Sequence, residues 1–375
     1  MMTIYFPGKL VFGNGVLAGL KEEVLRLAPR RVFIVTIEPL VEKLKGIWGE
    51  LETRVYTGIV AEPGYDDLNR VMEVAEPFDP DVVVGIGGGS VLDVAKMVAA
   101  QLGNQQALDE WVGIGLLKGR SRKLICVPTT SGTGSEVSPN AILVDNRDNQ
   151  KKGFISPYLV PDVVYVDPLL TVSVPPAVTA ATGLDALTHC LEAYTNKFAQ
   201  PFIDMYAFEG MRLIAANLVR AVKQGDDVEA RSQVAMGSLL GGFCLGPVNT
   251  AAVHVLSYPL GSSYHLPHGL SNALLLPYVM EYNIPAAVDR YAEVAVALGC
   301  EREADAMVTA KKGVEKIREL IRECGIPATL REVGIPPESI PGMAADAMKI
   351  VRLLKNNPRP VGLEDAIGIY KLAYE

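Results

Sequence analysis

The chain has 375 residues, 49% of them apolar and 21% charged, which is enough for two domains around sizeable cores. A formal charge of −8, with no run of Lys and Arg, argues against a nucleic-acid groove or another polyanionic partner. Five scattered cysteines, Cys126, Cys190, Cys244, Cys300 and Cys324, form no CxxC pair, so neither a disulfide framework nor a cysteine zinc site is expected, and the chain reads as cytoplasmic with reduced thiols.

The first residues, "MMTIYFPGKLVFGNG", lack the basic and long apolar regions of a secretory leader. Strand-like and helix-like segments then alternate. "RRVFIVT" and "LETRVYTGI" read as strands, "GYDDLNRVMEVAEPF" as a helix, "PDVVVGIGGGS" as a buried strand and "VLDVAKMVAAQL" as a helix. "RKLICVPTT", "NAILVDN", "KKGFISP" and "DVVYVDP" add further strands. This rhythm predicts a parallel sheet covered by helices on both faces. From "PPAVTAATGLDAL" onward, helical patterns dominate at 176–195, 201–223, 227–245, 249–260, 285–299, 303–324 and 362–373. The expected division is therefore 1–167 and 168–375. The most apolar window, "GSLLGGFCLGPVNTAAVHVL", contains Pro247, Asn249 and His254 and reads as a buried helix pair, not a membrane span.

Two loops suggest a nucleotide site. In "GIGGGSVLDVAK" a strand runs into Gly87, Gly88 and Gly89, and a helix follows. Glycines admit a ligand close to the backbone, and helix-start N–H groups attract phosphate. Ser90 can cap that helix, with Asp93 three residues on. The second loop, "PTTSGTGSEVSPNAIL", also follows a strand and offers the hydroxyls of Thr129, Thr130 and Ser135.

All four histidines, His189, His254, His265 and His268, lie in the helical half. Asp185 and His189 are four residues apart, so both project from one helix face. The expected site is one carboxylate and three imidazoles, Asp185, His189, His254 and His268, around a divalent ion. A nitrogen and oxygen set without thiolate suits iron(II), with zinc as the other choice, in a catalytic rather than a structural site.

"GGGSVLDVAK", "PTTSGTGSE", "GLDALTHCLEAY", "HVLSYPLGSSYHLPHG" and "NPRP" together resemble the iron-containing (group III) alcohol dehydrogenase family, in its order and spacing across residues 4–373. The resemblance implies an N-terminal α/β Rossmann-like domain with a parallel sheet, an all-helical C-terminal domain of the dehydroquinate synthase-like type, and a metal in the cleft between them. It implies metal ligands at Asp185, His189, His254 and His268. Dinucleotide contacts fall on Gly87, Gly88, Gly89, Ser90, Asp93, Thr129 and Thr130, and a lysine near the nicotinamide corresponds to Lys151, with Lys152 beside it. Many alcohol-active members carry a histidine four residues after the third ligand. Tyr258 stands there instead, either to relay protons or only to shape the pocket, with His265 a weaker substitute donor. After "VT", where NAD-preferring members often carry an acid, this chain has Ile37 and then Glu38. Cofactor choice is thus open between NAD and NADP, and Glu38 tips it toward NAD.

The expected function is metal-dependent hydride transfer between NAD(P) and a small alcohol, aldehyde or ketone, by a homodimer or larger homo-oligomer with no nucleic-acid or membrane partner. The alternatives are the same fold acting on a hydroxy acid or phosphorylated polyol, and a non-catalytic nucleotide-binding protein. The N-terminal "TIYFPGKLVFG" could pair across a two-fold axis.

Overall fold

The computed structural model describes residues 2–49 and 51–375; Met1 and Glu50 lie outside them. The chain separates into two compact units. The first runs to Thr171 apart from Ser131–Thr133, and those three residues group with Val172–Glu375 in the second. The switch therefore falls just past the expected 167/168, and the threonine-glycine loop takes part in both units.

In the first unit, strands and helices alternate as β1 (Lys9–Phe12), α1 (Leu20–Arg26), β2 (Arg31–Val35), α2 (Glu38–Trp48), β3 (Glu52–Tyr56), α3 (Tyr65–Phe78), β4 (Val82–Gly87) and α4 (Gly89–Gln101). Five strands follow: β5 (Gly113–Ile114), β6 (Lys123–Pro128), β7 (Asn140–Asp145), β8 (Gln150–Ile155) and β9 (Val163–Val166). Six of the nine form one sheet in the order β1-β9-β6-β4-β2-β3, every pair parallel. The central strands are buried on both faces, which explains their unbroken apolar runs. The pleat still sorts them. Phe33, Val35 and Val83 join one core with α3 and α4, while Val32, Ile34, Val82, Val84 and Ile86 join another with α1 and α2.

"NAILVDN" and "KKGFISP" are strands, as expected, but not of that sheet. They form an antiparallel β7–β8 hairpin, with β5 beside β8. Their turn is short, and two-stranded reversal over a few residues can only be antiparallel.

The second unit is helical: α5 (Pro176–Thr195), α6 (Pro201–Lys223), α7 (Val228–Cys244), α8 (Ala252–Tyr264), α9 (His268–Asn283), α10 (Val288–Ala297), α11 (Ala306–Glu323), α12 (Ile340–Ala347), α13 (Val351–Leu354) and α14 (Leu363–Tyr374). Helix α5 is buried along most of its length, packed by α6, α7 and α9, and α8 also packs on α9. The apolar window is the α7–α8 pair, and no helix among the described residues is long and apolar enough to cross a membrane. Helix α8 runs past the expected 260 because Pro259 is accommodated inside it. The full span of α9 is hidden in the sequence because apolar residues surround it, leaving no periodic stripe to read.

Candidate metal centre and cofactor loops

Three helices bring four side chains together. Helix α5 supplies Asp185 and His189 one turn apart, α8 supplies His254, and His268 is the first residue of α9. One ligand atom from each lies within 4.8 Å of all the others. Nε2 of His254 and of His268 each stand 3.6 Å from Oδ1 of Asp185, and Nε2 of His189 stands 3.7 Å from it. Four donors about 2.1 Å from one ion at tetrahedral angles are separated by about 3.4 Å, so this spacing fits a divalent cation. The His189 and His254 rings stack, centroids 4.7 Å apart.

Close approach of the helices depends on Gly269. A Cβ there would lie 2.1 Å from the carbonyl oxygen of Ala181 on α5, one turn before Asp185. Glycine therefore lets the start of α9 press His268 toward Asp185.

The electrostatics follow from burial and mutual contact. Asp185, His189 and His254 are only 2%, 5% and 3% exposed. Burial pushes the Asp185 carboxyl up, but the imidazoles of His189, His268 and His254 outweigh it and hold it well below the carboxylate range. Burial lowers His189, with Asp185 opposing. Burial also acts to lower His254, yet Glu192 and Asp185 prevail and raise it to about 9.

Two members of this cluster escape a reading of the sequence. Glu192 accepts from the backbone N–H of Ala251 at 3.0 Å and lies 2.6 Å from Nδ1 of His254. Asn272 points its Nδ2 at Oδ1 of Asp185, 2.7 Å away. The available signal was spacing, since Glu192 follows His189 by three residues and Asn272 follows His268 by four. Tyr258, half-buried, has its ring centroid 6.1 Å from that of His268. His265 ends α8 as an exposed residue with a left-handed backbone, outside the four-residue group.

In the first unit, the chain direction reverses between β2 and β4, since β3 lies beyond β2 and β6 beyond β4. Ligands of open parallel sheets bind at the carboxyl ends of strands at such a point. The residues there are Thr36 to Glu38 after β2 and Gly87 to Ser90 after β4. Thr36 ties the two ends, donating to the Ile86 carbonyl at 2.8 Å. Glu38 is exposed at the start of α2.

The glycines divide in role. A Cβ on Gly87 would lie 2.6 Å from Cβ of Val91, so this glycine serves the packing of α4. Gly88 is the N-cap and faces the Thr130 hydroxyl, 3.3 Å from where its Cβ would be. Ser90 lies inside α4 and makes no cap hydrogen bond, which corrects the expected capping role. Asp93 does not reach back to the helix start. Its Oδ1 accepts from Ser135 Oγ at 2.5 Å and its Oδ2 from the Ile142 N–H at 2.9 Å. Lys96, fully buried, donates to the Ser135 carbonyl at 2.8 Å, the Ser138 carbonyl at 3.0 Å and the Asn140 carbonyl. Asp93, Lys96 and Ser135 thus hold the loop from within, while Thr129 donates its N–H to the Gly87 carbonyl at 3.0 Å. Lys151, on β8, pairs with Glu62 at 2.6 Å.

Comparison with known proteins agrees over both units. The model of the iron-containing alcohol dehydrogenases matches residues 7–168, and that of the C-terminal part of the same family matches 179–374. A long-chain-alcohol dehydrogenase of Geobacillus thermodenitrificans is 38% identical, covering 99% of this chain and 96% of its own. Among solved structures, an alcohol dehydrogenase from Oenococcus oeni superposes with a TM-score of 0.96 at 30% identity over all of both chains. A sulfoacetaldehyde reductase from Bifidobacterium kashiwanohense in complex with NAD+ gives 0.89 at 26% identity, covering 100% of this chain and 98% of its own. The chain belongs to the iron-containing alcohol dehydrogenase family and is an oxidoreductase of that family.

Proposed function

We propose that this oxidoreductase transfers a hydride between NAD(P) and a small alcohol, aldehyde or ketone, with a divalent metal, iron(II) or zinc, held by Asp185, His189, His254 and His268. The observation that carries the reading is the convergence of three imidazole nitrogens 3.6–3.7 Å from one carboxylate oxygen. When bound, the ion supplies Lewis acidity toward an alcohol or carbonyl oxygen.

The chain's own residues do the rest. Asp185, His189 and His254 are buried and His268 is partly exposed, so the donor cluster is preorganised and open to solvent on the His268 side. Tyr258, four residues after His254 and with its ring 6.1 Å from that of His268, is the proposed proton relay. Gly88, Gly89 and Ser90 at the start of α4, with Thr129 and Thr130, are the proposed pyrophosphate and ribose contacts. Lys151 is kept as a candidate near the nicotinamide. Exposed Glu38 beside the glycine loop supports NAD over NADP, since a carboxylate binds a ribose hydroxyl and repels a phosphate.

A homo-oligomer is part of the proposal. Strand β1 is an edge strand, preceded by Tyr5 and Phe6, 46% and 49% exposed, so this end of the sheet suits pairing across a two-fold axis. A cytoplasmic location is proposed from the five free thiols.

Metal analysis of the purified chain, combined with the absorbance of reduced nicotinamide across a panel of alcohols and aldehydes with both cofactors, tests the reading. Stoichiometric metal and NAD-linked turnover are expected. Undiminished turnover after metal removal would overturn it.

A further inference from the structure

We infer that Glu192 is a positioning residue for the metal centre, setting which ring nitrogen of His254 carries the proton. The inference deepens the proposed function and rests on it.

Glu192 is 3% exposed, and three donors surround its carboxylate. Oε1 accepts from the Val253 N–H at 2.6 Å, Oε2 accepts from the Ala251 N–H at 3.0 Å, and Nδ1 of His254 lies 2.6 Å from Oε2. A carboxylate in that setting can only accept, so Nδ1 of His254 bears the hydrogen. In the neutral ring, the form that binds a metal, the lone pair is then on Nε2, the atom that faces Asp185. Nδ2 of Asn272 lies 3.2 Å from that same Nε2, but also 2.7 Å from Oδ1 of Asp185 and 3.3 Å from Nε2 of His268, so its two hydrogens are shared among three neighbours and the Glu192 contact alone selects the tautomer. Metal binding needs a deprotonated imidazole nitrogen aimed at the ion, and the partner of the other ring nitrogen selects which one it is.

Glu192 also serves α8. The N-cap residue of that helix, Ala251, has no side chain able to cap it, and two N–H groups of its first turn end on Glu192 instead. A capping role alone would affect stability. A positioning role also changes metal affinity and the location of a proton.

Glu192→Gln separates the two. Glutamine keeps the size and one acceptor oxygen, but its amide can donate to Nδ1 and drive the proton to Nε2. The full-length chain, stripped of metal, is titrated with cobalt(II) alone against a competing chelator dye. The ring nitrogens are read by nitrogen-15 resonances in histidine-labelled protein at a pH above about 9, where the His254 ring is neutral, and four histidines keep the spectrum assignable. Thermal midpoints in chelator report stability separately.

The expected result is cobalt affinity about 10–100-fold weaker, with the His254 proton moved to Nε2. A lowered midpoint with cobalt affinity within about twofold of wild type and the proton still on Nδ1 overturns the inference. If Glu192→Gln yields no folded protein, Glu192→Asp takes its place. It keeps the charge but draws it back from Nδ1, so weaker cobalt binding supports the inference and unchanged binding overturns it. Failure of the dehydrogenase reading looks different. Wild-type protein that binds cobalt tightly, loses affinity on substitution and yet oxidises no alcohol would sink that reading while Glu192 keeps its role.

Discussion

Asn272 donates from Nδ2 to Oδ1 of Asp185 at 2.7 Å, the same oxygen that the three imidazoles face. This amide fixes the direction of the carboxylate within the cluster. Asn272→Leu, similar in size but without the donor, should leave the fold intact and weaken metal binding about 10-fold. Chelator competition on the purified variant checks it.

His268 is the ligand most open to solvent, its side chain 27% exposed. Truncating it removes a ligand while disturbing the core least. His268→Ala should therefore keep wild-type circular dichroism yet lose bound metal and at least about 10³-fold in turnover, because several kcal/mol of Lewis-acid assistance goes with the ion. Metal content and activity are measured on the same sample.

Gly269 has no room for a methyl group, since its Cβ would lie 2.1 Å from a backbone oxygen of α5. Gly269→Ala should cost about 1–3 kcal/mol by overpacking and shift His268 away from Asp185, weakening metal binding in the molecules that do fold. Gly368 on α14 has nothing within 4 Å of its Cβ position, so Gly368→Ala should be neutral or stabilising. Chemical denaturation of the pair distinguishes packing from propensity.

Lys96 holds carbonyls of Ser135, Ser138 and Asn140 from a fully buried position. Lys96→Met preserves the stem but leaves those acceptors, and the nearby Asp93 charge, uncompensated. A loss of about 3 kcal/mol is expected, together with weaker NADH binding as the Thr129–Thr130 loop loosens. Denaturation and NADH fluorescence titration report the two effects.

Glu136 is buried, and burial raises its carboxyl from 4.5 to about 7, with a backbone N–H and Lys96 acting against the shift. The folded state thus prefers the protonated form. Its contribution is fully present below about pH 4.5 and is lost as pH rises through about 7. Glu136→Gln cannot ionise, so relative to wild type it should gain up to about 3 kcal/mol between pH 5 and 7.5. Parallel stability differences across that range would refute the assignment.

Much of the fold is legible along the chain. The apolar β-branched runs of β2, β4 and β6 announce strands buried on two faces, and α3 and α11 show clear one-sided stripes. The site is partly legible for the same local reason: Asp185 and His189 share a helix face at a spacing of four residues. Glu192 and Asn272 also stand three and four residues from a histidine, but that spacing does not single them out among other polar helix residues. Each is an ordinary polar residue in a helix until another helix arrives opposite it.

The amino-acid sequence by itself determined most of the strands and helices, with the full span of α9 and the short α12 and α13 among the exceptions, which residue types can hold an ion, and the family. It did so because hydrophobic periodicity and short motifs are local properties. Tertiary structure alone decided that β7 and β8 leave the main sheet, that Gly87 serves α4 and Gly269 serves α5, and that Asp93 turns toward Ser135 rather than toward its own helix start. Those outcomes depend on contacts between residues far apart in the chain, where packing and the pairing of buried polar groups select one partner among several that local rules allow.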